Sequence, residues 1–359
     1  MKILITGICG FVGSSLAAWF RQQPGVDRIV GLDSLLRPGS ERNVEVLRRA
    51  GIDVIRGDVR CATDFEALPR VDWVIDAAAN PCVLAGLSDV SGSRQLLEHN
   101  LLGSINVLEF CRRHGAGFVL LSTSRVYSIS ALAGLPLIVQ DGAFVLDEGR
   151  HLPEGVSSLG VNEGFPTAAP ISLYGSTKLA SEVLALEYGS AFGFPVWIDR
   201  CGVMAGAGQF GTAGQGIFSY WIHAYAARKS LQYIGFDGQG HQSRDALHPL
   251  DLATLLWKQM NYQGVPPTRL FTVGGGGVMS LNQLSAWCAK RLGEHAVAIN
   301  AIPRPYDIPW LALDSSLSES TFDWKKTKTI DFILNEILDH ARQYPDWLDL
   351  AGGAIRGGA

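Results

Sequence analysis

The sequence predicts a doubly wound parallel α/β sheet with a smaller mixed α/β lobe. Up to about residue 202, short apolar runs rich in β-branched residues alternate with stretches of helical length. Such nearly continuous apolarity indicates strands buried on both faces, as in parallel sheets covered by helices. A glycine-rich turn directly after the first apolar run is a third sign, since it is typical of a strand leading into a helix.

Each predicted strand is a short apolar run, and helical stretches separate most of the runs. Six such runs in this order indicate the Rossmann fold. The predicted strands are Lys2–Thr6, Arg28–Asp33, Asp53–Arg56, Asp72–Ala77, Phe118–Ser122 and Val196–Arg200, and the helices include Phe11–Gln22, residues 92–114 and Tyr174–Ala191.

The turn after the first strand has the spacing GxxGxxG and is formed by Gly7, Ile8, Cys9, Gly10, Phe11, Val12 and Gly13. Glycines there let backbone N–H groups approach a pyrophosphate at the helix N-terminus. Asp33 ends the second strand, about 20 residues further on, where a carboxylate binds the hydroxyls of an adenosine ribose. We therefore expect NAD rather than NADP, although Arg37 leaves NADP open. Asp58 is placed to meet the adenine amino group.

The connection between Tyr127 and Tyr174 is long for a compact domain, which is typical of a lid or of a segment with its own structure. Two apolar runs there flank Asp141 and Gly142. This pair predicts a β-hairpin with a type I′ turn.

Beyond residue 203 the alternation weakens into glycine-rich loops, an aromatic helix and a last helix near residues 330–343. We expect a dinucleotide-binding domain over residues 1–202. Residues 203–350 form mainly a substrate-binding lobe, with segments returning to the first domain, and residues 351–359 a flexible tail.

Composition restricts the partners. Apolar residues make up 47% and charged residues 18% of the 359 residues, which argues against disorder. The net charge of −4 provides no broad cationic surface, so polymeric nucleic acid is not an expected partner. Three glycines interrupt the apolar N-terminal segment and favour a strand and loop over a secretion signal. No apolar run reaches the roughly 18 residues of a membrane span.

The spacing of cysteine and histidine restricts the site chemistry. The six cysteines include no CxxC pair, so we expect reduced thiols, no disulfides and a cytoplasmic location. The eight histidines show no HxxxH or HExxH spacing, and no metal site is predicted.

Tyr174 and Lys178 are four residues apart on a predicted helix, which places phenol and ammonium on one face. A nearby cation lowers the pKa of a tyrosine by stabilising the phenolate, which can then accept a proton from a substrate hydroxyl. Thr123, at the carboxyl end of a predicted central strand, can bind the same substrate oxygen.

Together these residues resemble the extended short-chain dehydrogenase/reductase family, the nucleotide-sugar epimerases and dehydratases, from Met1 to about residue 345. Segments 32–43, 122–128, 208–221 and 242–252 are similar to the CDP-sugar 2-epimerases of that family. The resemblance implies that Thr123, Tyr174 and Lys178 are catalytic. It implies further cofactor contacts from Ser34, Val59, Ala77, Ala78, Ala79, Asn100, Ser122, Cys201 and Val203, and substrate contacts from Asn80, Ser124, Gln209, Gln215 and Arg244.

The chain departs from the family pattern at two places. Sugar 4,6-dehydratases carry an Asp-Glu pair directly after the threonine, whereas this chain has Ser124 and Arg125, which disfavours dehydration. A Tyr-Gly-Gly-Arg stretch expected near residues 205–208 is replaced by Ala-Gly-Ala-Gly, which removes a ring and a cation from the expected substrate wall.

The resemblance implies an NAD-dependent nucleotide-sugar epimerase that oxidises its substrate transiently to a keto-sugar and reduces the opposite face, with C2 of a CDP-sugar as one possible position. It also implies a homodimer formed through the helices at residues 92–114 and 174–191. Two alternatives stay open. One is a nucleotide-sugar dehydrogenase or reductase with net redox, and the other is a non-catalytic NAD-binding regulatory protein.

Overall fold

The computed structural model describes residues 1–87 and 92–352. The predicted tail lies outside these residues from position 353 onward. The strands are β1 (Lys2–Thr6), β2 (Arg28–Asp33), β3 (Asp53–Arg56), β4 (Trp73–Asp76), β5 (Gly117–Thr123), β6 (Leu137–Gln140), β7 (Ala143–Leu146), β8 (Val156–Ser157), β9 (Gly160–Val161), β10 (Val196–Cys201), β11 (Val203–Met204), β12 (Leu231–Ile234), β13 (Ser243–Leu247), β14 (Leu270–Val273), β15 (Val278–Ser280), β16 (Val297–Asn300) and β17 (Trp310–Leu311).

Twelve α-helices lie in the described part of the chain. They are α1 (Phe11–Phe20), α2 (Arg42–Arg49), α3 (Ser93–Leu97), α4 (Gly103–His114), α5 (Ile129–Ala133), α6 (Ser172–Phe192), α7 (Ile217–Ala226), α8 (Pro249–Met260), α9 (Leu281–Leu292), α10 (Ser316–Phe322), α11 (Ile330–Gln343) and α12 (Trp347–Gly352). A π-helical segment, Glu98–Leu102, joins α3 to α4. Within residues 1–87 and 92–352, every helix is too short or too polar to cross a bilayer.

The central sheet has seven strands in the order β14-β10-β5-β4-β1-β2-β3, all parallel. Alternate residues of one strand face opposite layers: Ile3 and Ile5 of β1 pack in one core cluster, and Leu4 packs in the other. The predicted doubly wound parallel fold is confirmed. The six predicted strands all lie in this sheet, and β14 is a seventh.

Strand order reverses between β1 and β4, and open α/β sheets bind ligands in the crevice at such a point. Side chains tie these two strand ends together there. The Thr6 hydroxyl donates to Asp76 Oδ1 at 2.6 Å and accepts the N–H of Ala78 at 3.1 Å. These hydrogen bonds fix the distance between the ends of β1 and β4, which form the two sides of the crevice.

The remaining chain forms a lobe beside the carboxyl edge of the sheet. Strands β11, β13, β15 and β17 form a small mixed sheet, and α7, α9 and α11 supply most of its core. The chain also returns to the first domain, because β14 pairs with β10 and α8 packs against α1.

The hairpin predicted around Asp141 and Gly142 is confirmed. Strands β6 and β7 pair antiparallel, and both turn residues have positive φ angles, 48° and 73°, as a type I′ turn requires. The hairpin is fastened to the lobe, since Phe144 N–H donates to the carbonyl of His241 and Ser280 Oγ donates to that of Gly142.

Asp199 is a fully buried carboxyl group in β10. Its Oδ1 accepts from Gln259 Nε2 at 2.8 Å, whereas its Oδ2 and Gln259 Oε1 have no partner among the described residues. Burial raises the pKa of Asp199 from 3.8 to about 7, against the opposing effect of the Gln259 hydrogen bond. Because the folded-state pKa is raised, the folded protein is favoured when Asp199 is protonated, and stability falls as the pH rises between these two values.

Asp199→Asn removes this ionisation and offers an N–H to Gln259 Oε1. We expect the free energy of unfolding of the variant to exceed that of the wild type increasingly between about pH 4 and pH 7, reaching a few kcal/mol, since each pKa unit is worth about 1.4 kcal/mol. Urea unfolding across this range measures the difference. The other buried carboxyls cancel in the comparison, so a difference that does not change with pH contradicts the assignment.

Candidate active site

The glycine turn after β1 approaches its neighbours too closely for any side chain. Gly7 has a φ of +64°, and a Cβ there would lie 2.9 Å from the Cα of Ala78. A Cβ on Gly13 would lie 2.3 Å from the carbonyl oxygen of Gly7. The first turn of α1 is therefore pressed against the strand end, which leaves its N-terminal N–H groups open to a diphosphate.

Asp33 holds the second wall of this half of the site. Its carboxylate accepts the N–H of Cys9 and the N–H of Leu35, both at 2.8 Å. Burial raises its pKa, although backbone hydrogen bonds oppose that effect. The carboxylate thus connects the glycine turn to the loop after β2 and remains at the surface of the cleft, where ribose hydroxyls can donate to it.

The side chains of two further predicted residues already have partners within the chain. The carboxylate of Asp58 pairs with Arg60 at 2.6 Å, which lowers its pKa. Asn100 is buried in the π-helical segment, where it binds both backbone groups of Asn80 and the hydroxyl of Thr177. Asn100 therefore holds the loop after β4 in place and does not line the cleft.

Thr123 and Tyr174 meet at the carboxyl edge of the sheet, as the sequence predicts. Thr123 ends β5, and its side chain lies close enough to the Tyr174 phenol to oppose the rise in the pKa of that phenol. Gly175 permits the contact, because a Cβ there would lie 2.3 Å from the carbonyl oxygen of Arg125. The first turn of α6 can therefore approach the end of β5 closely enough to join phenol and hydroxyl.

The expected lowering of the Tyr174 pKa by Lys178 is wrong for the protein alone. Burial raises the pKa of Tyr174, and the Thr123 side chain and the charge of Arg125 oppose this rise. Arg125, rather than Lys178, is the cation that acts on the phenol. The i, i+4 spacing places Lys178 one helical turn after Tyr174 on α6.

Lys178 is only 2% exposed. Burial lowers its pKa, and the nearby carboxylate of Asp76 opposes this effect. The side-chain-free glycine turn and the carboxylate of Asp33 fit a dinucleotide with ribose hydroxyls.

One cavity of about 960 Å³ joins the cofactor half to the lobe. It is lined by most of the predicted site residues, namely Gly7, Gly10, Phe11, Val12, Gly13, Asp33, Ser34, Arg37, Asp58, Val59, Ala77, Ala78, Ala79, Asn80, Ser122, Thr123, Ser124, Tyr174, Cys201, Val203, Gln209, Gln215 and Arg244.

Four predicted residues do not line this cavity: Ile8, Cys9, Asn100 and Lys178. The Ile8 side chain packs onto Gly31 of the neighbouring strand, and Cys9 is buried in the core, where burial raises the pKa of its thiol to about 12. Both side chains are buried in the core, so only the backbone at these two positions can reach a ligand.

The lobe half of the cavity carries two cations that the sequence motifs did not indicate as ligands, Arg125 and Arg304. They line the cavity together with the predicted Arg244 and one carboxylate, Asp307. Arg244 donates to Asp307 at 3.2 Å and to the carbonyl of Ile308 at 2.6 Å. Burial and the charge of Arg125 lower the pKa of Arg244 to about 10. Such a cationic group favours an anion such as a diphosphate.

Gln209 and Gln215 lie on the loop that precedes α7, and both line the cavity. Gln209 Nε2 donates to the carbonyl of Met204 at 2.6 Å, whereas its Oε1 has no donor in the described part of the chain. Gln215 Oε1 accepts from Arg37 at 2.8 Å. Arg37 therefore contacts the lobe as well as lining the cofactor half.

Related proteins carry the names of enzymes that act on nucleotide sugars. The chain is 28% identical to the CDP-paratose 2-epimerase of Salmonella typhi over 296 residues, an alignment that covers 79% of this chain and 82% of that protein. The chain is 25% identical to a putative UDP-glucose 4-epimerase of Methanocaldococcus jannaschii over 325 residues, which covers 90% of this chain and 92% of that protein.

Solved structures share the fold across almost the whole chain. The UDP-glucose 4-epimerase of Thermotoga maritima, solved with UDP-glucose, superposes with a TM-score of 0.76 at 20% identity and covers 96% of this chain and 99% of that one. The UDP-glucose 4-epimerase of Thermus thermophilus, solved with NAD, superposes with a TM-score of 0.75 at 23% identity. The superposition covers 95% of this chain and 99% of that one.

A sequence profile described as "NAD dependent epimerase/dehydratase family" matches residues 3–274, which is more than half of the chain. This agrees with the glycine turn, Asp33 and the pair of Thr123 and Tyr174 at the edge of the sheet. The chain belongs to the NAD dependent epimerase/dehydratase family and is an NAD-dependent enzyme.

Proposed function

We propose that this enzyme is a nucleotide-sugar epimerase that inverts one carbon by transient oxidation to a keto-sugar, and that a CDP-sugar inverted at C2 is its specific substrate. The proximity of Thr123 and Tyr174, in a cavity whose lobe half also holds three arginines, carries the proposal. The CDP-sugar is supported by the similarity to the CDP-paratose 2-epimerase over 79% of the chain.

Tyr174 is proposed to accept the proton of the reacting hydroxyl through its phenol oxygen. Arg125 stabilises the phenolate, and Thr123 binds the same substrate oxygen and fixes its direction. Lys178 is the residue that would bind ribose hydroxyls of the cofactor, as the family resemblance implies. When bound, NAD supplies the oxidant for the sugar carbon and the reductant for its return.

Arg244 and Arg304 are proposed to bind the diphosphate of the substrate. Both line the lobe half of the cavity, away from the glycine turn. A diphosphate held there leaves the sugar to extend toward Tyr174. Inversion requires the keto-sugar to present its other face, and a diphosphate anchor keeps the intermediate bound while the ring turns.

Dehydration is disfavoured by the side chains beside Tyr174. The two residues that follow Thr123 are Ser124 and Arg125, which both line the cavity. Neither supplies the carboxylate that would deprotonate the carbon next to a keto group, as elimination requires.

The second candidate is a nucleotide-sugar dehydrogenase or reductase with net redox, since the same trio performs one hydride step. Purified protein is incubated in turn with CDP-, UDP-, GDP- and dTDP-sugars, and products are resolved by NMR. An epimer formed without stoichiometric NADH supports the proposal, whereas stoichiometric NADH supports net oxidation. No conversion and no binding of any of the four overturns both and leaves the regulatory alternative.

Tyr174→Phe removes the proposed proton acceptor and keeps the ring. We expect turnover to fall by about 10²–10⁴-fold, the usual contribution of a positioned acid or base. Bound NAD, measured after protein precipitation, stays at the wild-type amount. Tyr188→Phe is the control, because this phenol on the same helix binds Glu109 at 2.8 Å, outside the cavity. Normal turnover in Tyr174→Phe would falsify the mechanism.

We also propose a homodimer formed by the helices around α4 and α6. Large apolar side chains are exposed on this side of the sheet, and water contact with them is unfavourable. They are Leu97, Leu102, Val183, Leu186 and Phe192, with exposures of 43%, 41%, 56%, 37% and 52%. A cytoplasmic location stays a prediction from the reduced cysteines.

Val183→Glu places a charge in the middle of this apolar surface. We expect the sedimentation mass to halve relative to the wild type, with the secondary structure unchanged by circular dichroism. The control is Val46→Glu, a 65% exposed position on α2 at the opposite edge of the sheet. The dimer surface is wrong if both variants keep the wild-type mass, or if the wild type is already a monomer.

A further inference from the structure

Arg37 joins the loop after β2 to the substrate loop, which is defined here as residues 209–216. Its Nη1 donates to Gln215 Oε1 at 2.8 Å, and its Nη2 donates to the carbonyl of Phe210. Ser40 Oγ in turn donates to the carbonyl of Arg37 at 2.7 Å. The guanidinium therefore bridges two segments that are about 175 residues apart in the chain.

The two segments also pack against each other directly. A Cβ on Gly39 would lie 2.8 Å from the ring of Phe210, so this ring fills the space that a side chain would occupy. On its other face Phe210 stacks on Trp347, with centroids 5.2 Å apart. Trp347 Nε1 donates to the carbonyl of Gln209 at 2.9 Å. The substrate loop is thus held between α12 and the loop after β2.

Arg37 lacks a carboxylate partner in residues 1–87 and 92–352, and both of its acceptors are neutral oxygens of the substrate loop. Burial lowers its pKa. A partly buried guanidinium that loses these acceptors would be left with unpaired donors, which disfavours separation of the two loops. Because Arg37 donates these two hydrogen bonds, fewer of its N–H groups remain to bind a phosphate on the cofactor ribose.

Both segments line the cavity, each in a different half. Ser34 and Arg37 line it from the loop that follows Asp33, and Gln209 and Gln215 line it from the loop before α7. The N–H of Leu35 donates to Asp33 Oδ1, so the position of the loop after β2 depends on this carboxylate. A ribose that binds Asp33 would stabilise the loop that presents Arg37.

We propose that Arg37 is a positioning residue that couples the two binding sites: by fastening the substrate loop across the cleft, it makes NAD and the nucleotide sugar bind more tightly together than alone. The proposal rests on the proposed function, since it takes a nucleotide sugar as the second ligand. Linkage requires the effect to be reciprocal, so the nucleotide must also strengthen the binding of NAD.

The experiment measures NAD exchange from the purified holoenzyme. Excess NADH displaces bound NAD, and the fluorescence of bound NADH reports the rate. CDP, UDP, GDP and dTDP are added in turn, and calorimetry measures the affinity of each. In the wild type we expect the best-binding diphosphate to slow NAD exchange by about fivefold or more, the lower end of typical coupling.

Three variants separate coupling from simple cofactor binding. Arg37→Met removes both hydrogen bonds and should reduce the slowing to about twofold or less, measured relative to the variant's own exchange rate without diphosphate. Arg37→Lys keeps one donor and should retain part of the slowing. Arg42→Met, an exposed arginine on the same segment, is the matched control and should behave as the wild type.

Other outcomes overturn the proposal in distinguishable ways. A diphosphate that binds the wild type without slowing NAD exchange overturns the coupling and leaves the proposed function standing. If the diphosphate slows NAD exchange equally in Arg37→Met and in the wild type, the coupling role of Arg37 is also overturned and the proposed function stands. If Arg37→Met loses affinity for NADP much more than for NAD, the residue binds a ribose phosphate instead. If none of the four diphosphates binds the wild type, both the coupling and the nucleotide-sugar assignment are wrong.

Discussion

A buried ion pair between Glu182 and Arg200 fixes the position of α6 on the sheet. Glu182 lies two turns after Tyr174 on α6, and its carboxylate binds Arg200 of β10 at 2.7 Å and accepts from Ser122 Oγ of β5. Arg200 also lies over the ring of Tyr127, 5.1 Å from its centroid. Because an unpaired charge at this depth is costly, the helix cannot slide without breaking all of these contacts. Register on the sheet then determines where the phenol of Tyr174 lies.

Most of the fold was predictable because its signals are local. Continuous apolar runs identify buried strands, and the Asp141-Gly142 pair specifies its own turn. The seventh strand, β14, could not be assigned to the main sheet from the sequence. Its partner β10 lies about 70 residues earlier, and the four residues of β14 do not specify which strand they pair with. The π-helical turn at Glu98–Leu102 was also not predictable, since its inserted residue changes which side chains face inward without changing the apolar pattern.

The candidate site was predictable at the level of motifs and less so at the level of individual atoms. Thr123 and Tyr174 meet because each follows directly from the end of an element that the sequence identifies. Helical spacing alone indicated Lys178 as the cation near the phenol, whereas in the folded chain Arg125 acts on it. Arg304 had no signal at all, because it lies in an irregular segment and only the folded lobe places it beside Arg244.

The distribution of charge in the cavity bears on which chemistry it suits. Arg125, Arg244 and Arg304 outnumber the single carboxylate of Asp307 in the lobe half, so the excess positive charge matches a diphosphate there. Binding energy placed on a group remote from the reacting carbon holds substrate and keto intermediate alike and leaves the sugar free to turn. The charge of Arg125 acts on both halves of this arrangement, since it lowers the pKa of Arg244 and opposes the rise in the pKa of Tyr174.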